Sequence, residues 1–152
     1  TQKLEWFKKV LKRDAAENDP SWTSLYKLQG DIHYGLDEFE LSLKYFQQYA
    51  EAVKKLESDT TYRYLLALNG MANAYSGMKE YAESFRMNSE LTELTKNNPD
   101  NYPTYSYNKA LDLYYLKRSD EAEAGLISVW ERYKNEYGQT HENTLMALKY
   151  LS

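Results

Sequence analysis

The chain has 152 residues, 42% of them hydrophobic and 28% charged, which provides apolar material for a packed core and excludes a chain too polar to fold. Nineteen Lys and Arg stand against 23 Asp and Glu, and the net charge of −4 argues against a nucleic-acid-binding surface, which needs a basic face. There is no cysteine, so disulfides and thiolate metal sites are excluded, and no apolar run approaches the length of a membrane span.

The apolar spacing is helical nearly throughout. Leu4, Phe7, Val10 and Leu11 share one face of a first segment running to about Ala16. The cluster Lys8, Lys9, Lys12 and Arg13 in that segment alternates with Glu5, Asp14 and Glu17, the pattern of a solvated helix face. Pro20 disfavours helix at Asp19, so Ser21 is the expected N-cap of a second helix that runs to about Leu36. Asp37 is the expected cap of a third, with the stripe Phe39, Leu43, Phe46, Tyr49, Val53 and Leu56. Ser58-Asp59-Thr60 opens a fourth, carrying Leu65, Leu68, Ala72 and Tyr75 and ending near Gly77. Tyr81, Phe85, Leu91 and Leu94 mark a fifth.

Asn97-Asn98-Pro99-Asp100 is the clearest loop of the chain. A helix from about Thr104 to Lys117 follows it. Ser119 or Asp120 starts the next, with Ala122, Leu126, Val129, Trp130 and Tyr133, and Gly138 closes it. A last helix begins at Thr140 and runs to Ser152, where the pattern is cut. The chain reads as an excised piece of about eight helices without a strand. Short connections set consecutive helices antiparallel.

A repeat underlies these elements. The residues Gly30, Ala72, Ala110 and Ser152 are small, follow large ones and are spaced by 42, 38 and 42 positions. Twelve residues after each of the first three stand Ser42, Ser84 and Ala122, and four further on stand Phe46, Asn88 and Leu126. Antiparallel helices approach closely only where small residues meet, with large residues filling the space beside them. Pairs are therefore expected to meet at Ala72/Ser84 and Ala110/Ala122. A single pair cannot bury its apolar face alone, so pairs must stack.

Tyr26-x2-Gln29-Gly30-x2-His33 with Ser42-x3-Phe46 resembles the tetratricopeptide repeat (TPR), as does Leu68-x2-Met71-Ala72-x2-Tyr75 with Ser84-x3-Asn88. Ser106-x2-Lys109-Ala110-x2-Leu113 with Ala122-x3-Leu126 departs furthest, since Lys109 replaces a large apolar residue. Asn88 likewise stands where an aromatic is usual. The long interval is similar to that of kinesin light chains and of many bacterial regulators. Gly138-x2-His141-x2-Thr144-Leu145 resembles the inter-repeat signature of that subclass, with Glu142 where Pro is common. The resemblance implies an all-α, right-handed superhelical solenoid of antiparallel helix pairs over residues 1–152. Its parts would be a second helix of a truncated repeat (1–19), repeats at 22–58, 60–98 and 102–138, and the first helix of another truncated repeat (140–152).

Chemistry is hard to place on this chain. His33 and His141 have no histidine partner at ligand spacing, and His33 occupies a ring position of the repeat. No phosphate-cradling glycine loop and no nucleophile elbow occurs. Asp37/Glu38 and Asp120/Glu121 lie at helix starts, where carboxylates oppose the helix dipole. The reading is a non-enzyme without cofactor or metal.

In arrays of this kind the first helix of each pair lines a groove, so the resemblance implies a scaffold that holds another protein or peptide. The groove residues expected are Lys27, Asp31 and Tyr34, then Asn69, Asn73 and Ser76, then Thr104, Tyr107, Asn108 and Tyr115, with Lys149 added by the truncated last helix. An Asn amide presents a donor and an acceptor together and can pair with both groups of a peptide backbone. Asn is also a mediocre helix former, so Asn69 and Asn73 one turn apart invite a functional explanation. Tyrosine, of which there are 16, supplies contact area at low entropy cost, although packing explains most of them. Lys27 matches one position of the carboxylate clamp of chaperone-tail-binding relatives, but Asp31 would repel a carboxylate. The alternative from the resemblance is the peptide-sensing domain of a bacterial transcriptional or signalling regulator. No nucleic acid and no membrane are expected as partners, a cytoplasmic location is expected, and the truncated ends offer faces for self-association.

Overall fold

The structure is a computed structural model in which residues 5, 20–56 and 62–150 are described. The helix expected over Leu4–Ala16 and the start expected at Ser58-Asp59-Thr60 lie outside the described residues. Seven helices and no strand occur among the described residues. The chain divides into two compact units, Thr1–Met78 and Lys79–Ser152.

The first unit contains α1 (Pro20–Gly35), α2 (Phe39–Leu56) and α3 (Tyr62–Gly77). α2 packs on both α1 and α3. Its inward face carries Ser42, Phe46, Tyr49 and Val53, all buried and spaced by three or four residues. Leu25 of α1 and Leu65, Leu68 and Ala72 of α3 complete this core. Burying each large side chain contributes about 1.5–3 kcal/mol. Helix α1 begins at Pro20 rather than after a Ser21 cap. Proline is at home in the first turn, where its missing N–H would have no partner in any case.

The second unit contains α4 (Tyr81–Leu94), α5 (Tyr102–Tyr115), α6 (Ser119–Tyr137) and α7 (Glu142–Leu148). Each of these packs on the next. Tyr107, Ala110, Leu126, Val129, Tyr133 and Ala147 form one buried cluster, and Leu111, Trp130 and Tyr150 close over it. Ala110 and Ala122 are both buried, and a Cβ at Gly125 would stand 3.0 Å from the Ala110 Cβ. Small residues thus set the approach of α5 and α6. Helix α5 begins at Tyr102, ahead of the expected Thr104, with Pro103 in its first turn. The Asn98 side-chain carbonyl accepts from the backbone N–H groups of Asp100 (3.0 Å) and Asn101 (3.2 Å), which shapes the loop before α5.

The repeat also appears in the backbone. Asp37, Lys79 and Lys117 have φ of 57°, 63° and 63°, and each lies two residues before a helix start. Their spacings are the 42 and 38 of the sequence pattern. Asp37 is therefore not the N-cap of α2 but the left-handed residue that ends α1. Its N–H donates to Tyr34 O (3.0 Å) and the Glu38 N–H donates to His33 O (2.9 Å). Lys117 N–H to Tyr114 O (3.1 Å) and Arg118 N–H to Leu113 O (3.0 Å) repeat that pair of bonds at the end of α5. Both are Schellman closures built without glycine. Gly77 is the last residue of α3 and serves a different end: a Cβ there would stand 2.6 Å from the Phe39 ring.

The junction before α7 gives its signature residues distinct tasks. Gly138 caps α6 with φ of 90°. His141, not Thr140, caps α7, its Nδ1 accepting from Asn143 N–H at 3.3 Å. The buried Thr144 hydroxyl donates to Gly138 O at 2.9 Å. The Tyr137 ring stacks on His141 with centroids 4.8 Å apart.

Candidate functional site

In the first unit, α1 and α3 bring five of the expected groove residues around one small cavity of about 100 Å³. Lys27, Asp31 and Tyr34 come from α1, at positions i, i+4 and i+7 of one helix face. Asn69 and Asn73 come from α3, one turn apart. Phe46, Leu66 and Gly70 line the same cavity. The Lys27 ammonium donates to Asp31 Oδ2 at 2.6 Å, so the one residue that matches a carboxylate clamp is already paired with a carboxylate of its own helix. Both side chains are substantially solvated, and such a pair contributes little to stability. The exposed Tyr34 ring is tilted against Phe39, centroids 5.6 Å apart.

Phe46 and Gly70 are the groove residues that the sequence pattern passed over. The Phe46 ring lies against two glycines, one on each flanking helix. A Cβ at Gly30 would stand 2.9 Å from it, and one at Gly70 would overlap it. Glycine inside a helix costs about 1 kcal/mol relative to alanine, so Gly70 between Asn69 and Met71 was itself a signal of close approach.

Ser76 of α3 is half-buried and does not line this cavity, and the other expected residues lie in the second unit, on α5 but for Lys149, and do not converge in the same way. Asn108 is half-buried. Tyr107 is only 6% exposed and belongs to the core cluster, where burial, ahead of the neighbouring Tyr150, Tyr115 and Tyr133, pushes its pKa up to about 12. Tyr115 is exposed and stacks on Tyr81, centroids 4.5 Å apart. Tyr114 meets Tyr115 and Tyr150 edge-on at 5.5 and 5.7 Å. Five of the 16 tyrosines, Tyr81, Tyr107, Tyr114, Tyr115 and Tyr150, therefore form one ring cluster in this unit.

A buried polar network in the second unit was also missed. Asp112 of α5 is 3% exposed. Its Oδ2 accepts from the Asn88 amide (2.8 Å) and the Ser84 hydroxyl (3.0 Å), both on α4. Burial pushes the Asp112 pKa up, and those two hydrogen bonds oppose the shift. Among the described residues no group of three or more histidine or carboxylate side chains could hold a metal ion, and no helix is long and apolar enough to cross a membrane.

Comparison with solved structures matches this arrangement of helices. Two crystal structures of nearly identical TPR-like repeats assigned to a kinesin light chain of Podosopora anserina, one of them a variant of the other, superpose with TM-scores of 0.82 and 0.81. Each alignment covers 97% of this chain and 73% or 74% of the other, at 12% identity. The fold is TPR-like. The crystal structure of BtubC (BKLC) from P. vanneervenii gives a TM-score of 0.71 at 12% identity, covering 97% of this chain and 59% of that one. At such identity the likeness is one of fold. No family model matches the chain, and no curated protein sequence matches it either. The left-handed residues at 37, 79 and 117 recur two residues ahead of α2, α4 and α6.

Proposed function

We propose that this chain is a protein- or peptide-binding scaffold that performs no catalysis itself, with Lys27, Tyr34, Asn69 and Asn73 as its main contact residues. The observation that carries the reading is the convergence of these side chains from α1 and α3 on one cavity. TPR-like repeats generally serve protein interaction, and this face combines aromatic area with amide groups. Two amides one turn apart match the spacing at which a bound backbone offers alternate N–H and C=O groups. Asn108 and Tyr115 are the contact residues proposed on the second unit. Tyr107 acts from the core by positioning α5. The reading treats residues 22–58, 60–98 and 102–138 as successive repeats of one array.

Peptides selected on the wild-type chain from a random library provide the test. Replacing Asn69 and Asn73 together by alanine removes about two hydrogen-bonding side chains at about 1 kcal/mol each, which weakens binding on the order of 30-fold. Helicity by circular dichroism stays unchanged. An unaltered affinity in the double variant contradicts the site.

A further inference from the structure

The second unit contains a larger cavity, about 440 Å³, between α5 and α6. Its origin lies in the sequence. Ser106 and Lys109 of α5 line it, and they occupy the repeat positions held by Leu68 and Met71 in α3, 38 residues earlier. Leu68 is buried and Met71 half-buried. Two large apolar side chains of the repeat are thus replaced by a short hydroxyl and a flexible cation. Across the cavity α6 presents Ala124, Gly125 and Ser128, which leave the space open.

The lining is mixed in a directed way. Leu113 and Val129 supply apolar wall. The Ser106 hydroxyl is shielded from solvent and has no hydrogen-bond partner, so it can donate to an acceptor that enters. Ser106 and Lys109 are one helical turn apart and share a face. The Lys109 ammonium sits 5.6 Å over the Phe85 ring. Arg132 also lines the cavity, its guanidinium 5.3 Å over the Tyr102 ring and 3.3 Å from Pro99 O. The Arg132 contact with Glu136 is long, 3.9 Å. Glu121 is the one carboxylate of the lining, and Arg118 holds it with bonds of 2.7 and 2.6 Å. Lys109 also acts on Glu121, so the lining, with Lys109 and Arg132 against one carboxylate, has an excess of one positive charge. Cavities of this size accommodate small organic molecules.

We propose that this cavity binds a small organic anion, an apolar ring or short chain carrying one carboxylate. The tail would lie against Leu113 and Val129, and the carboxylate would accept from Ser106 and meet Lys109 and Arg132. The site is separate from the α1–α3 cavity and does not depend on the scaffold reading.

The probe is 3-phenylpropionate, titrated into the isotope-labelled chain and followed by backbone amide shifts. Its neutral counterpart, 3-phenylpropionamide, is titrated in parallel. Saturable shifts confined to α5, α6 and the end of α4 are expected with the carboxylate, and binding at least tenfold weaker with the amide. Lys109→Gln keeps the cavity and lowers carboxylate affinity to the level of the amide. The double variant Ser106→Leu/Lys109→Met restores the apolar residues of α3, fills the cavity and abolishes binding while the fold persists. If that variant fails to fold, Ala124→Leu, at an exposed α6 position that lines the same space, replaces it in the test. The proposal is overturned if the wild type shows no saturable shifts, if amide and carboxylate bind alike, or if a filled variant binds as the wild type does.

Discussion

Phe46 in the first unit and Asn88 in the second occupy the same position of the repeat, 42 residues apart. Phe46 sits on α2 and Asn88 on α4, and each meets the helix that follows, α3 and α5. Phe46 drives an aromatic ring against Gly70 of α3, with Gly30 of α1 on its other side. Asn88 hydrogen-bonds Asp112 of α5, with Ser84 completing the network. A left-handed residue stands two positions before the helix in both places. The difference teaches that repeat phase and seam chemistry are separate choices. Glycine under an aromatic gives a tight, apolar seam, and an amide on a carboxylate gives a polar one that depends on protonation.

The contrast can be broken from its apolar side first. Phe46→Ala is expected to cost about 3–5 kcal/mol in chemical denaturation, because a buried ring seated on two glycines leaves a hole that rigid helices cannot close. Gly70→Ala is also destabilising in the wild type, since the added methyl overlaps the ring. In the Phe46→Ala background the same change is neutral or stabilising, so a double-mutant cycle should give a strong coupling of opposite sense.

On the polar side, Asp112→Ala is expected to cost about 1–3 kcal/mol, because the buried Asn88 and Ser84 donors lose their acceptor. Asp112→Asn behaves differently. It keeps one acceptor oxygen and adds an N–H₂ that can serve the Asn88 carbonyl oxygen, which is buried without a partner. Because the folded-state pKa of Asp112 is raised, the folded state holds its proton more tightly than the unfolded one. This group's contribution is complete below the ordinary carboxylate range and declines as pH rises through its raised pKa. Wild type minus Asp112→Asn stability, measured by denaturant titration between pH 3 and pH 8, should therefore fall with rising pH. A difference that rises or stays flat would refute the polar seam as described.

The smallest expected effect sharpens the backbone half of the comparison. Lys79→Gly relieves a non-glycine residue at φ of 63° and should stabilise by about 0.5–1 kcal/mol, net of the added flexibility of the unfolded chain. Thermal denaturation reads this, and Lys117→Gly should respond alike.

Much of the fold was legible because helix periodicity and small-residue spacing are local or strictly repeated. The bounds of α6 and the close of α3 at Gly77 follow from such signals. Asp37 misled because Asp caps helices and also tolerates the left-handed conformation, and only the chain direction decides between them. Asn88 read as a defect of the pattern because its partner Asp112 lies 24 residues on, in another helix. Tyr107 and Asn108 are neighbours about 100° apart around α5, so they cannot share a face. Spacings of three and four from Thr104 are equally helical, and packing sent Tyr107 to the core. On α1 and α3 the expected residues were spaced by four or seven, and there the structure gathers Lys27, Asp31, Tyr34, Asn69 and Asn73, while Ser76 does not line the cavity.

The central claim is that the face of α1 and α3 around Lys27, Tyr34, Asn69 and Asn73 holds a polypeptide. Amide hydrogen exchange of the whole chain, with and without a saturating library-selected peptide, tests it most directly. The account predicts slowed exchange concentrated in Lys27–Tyr34 and Asn69–Asn73, and loss of that protection in the Asn69→Ala/Asn73→Ala variant. Protection absent from α1 and α3 while the peptide is bound, or unchanged in the variant, would contradict it.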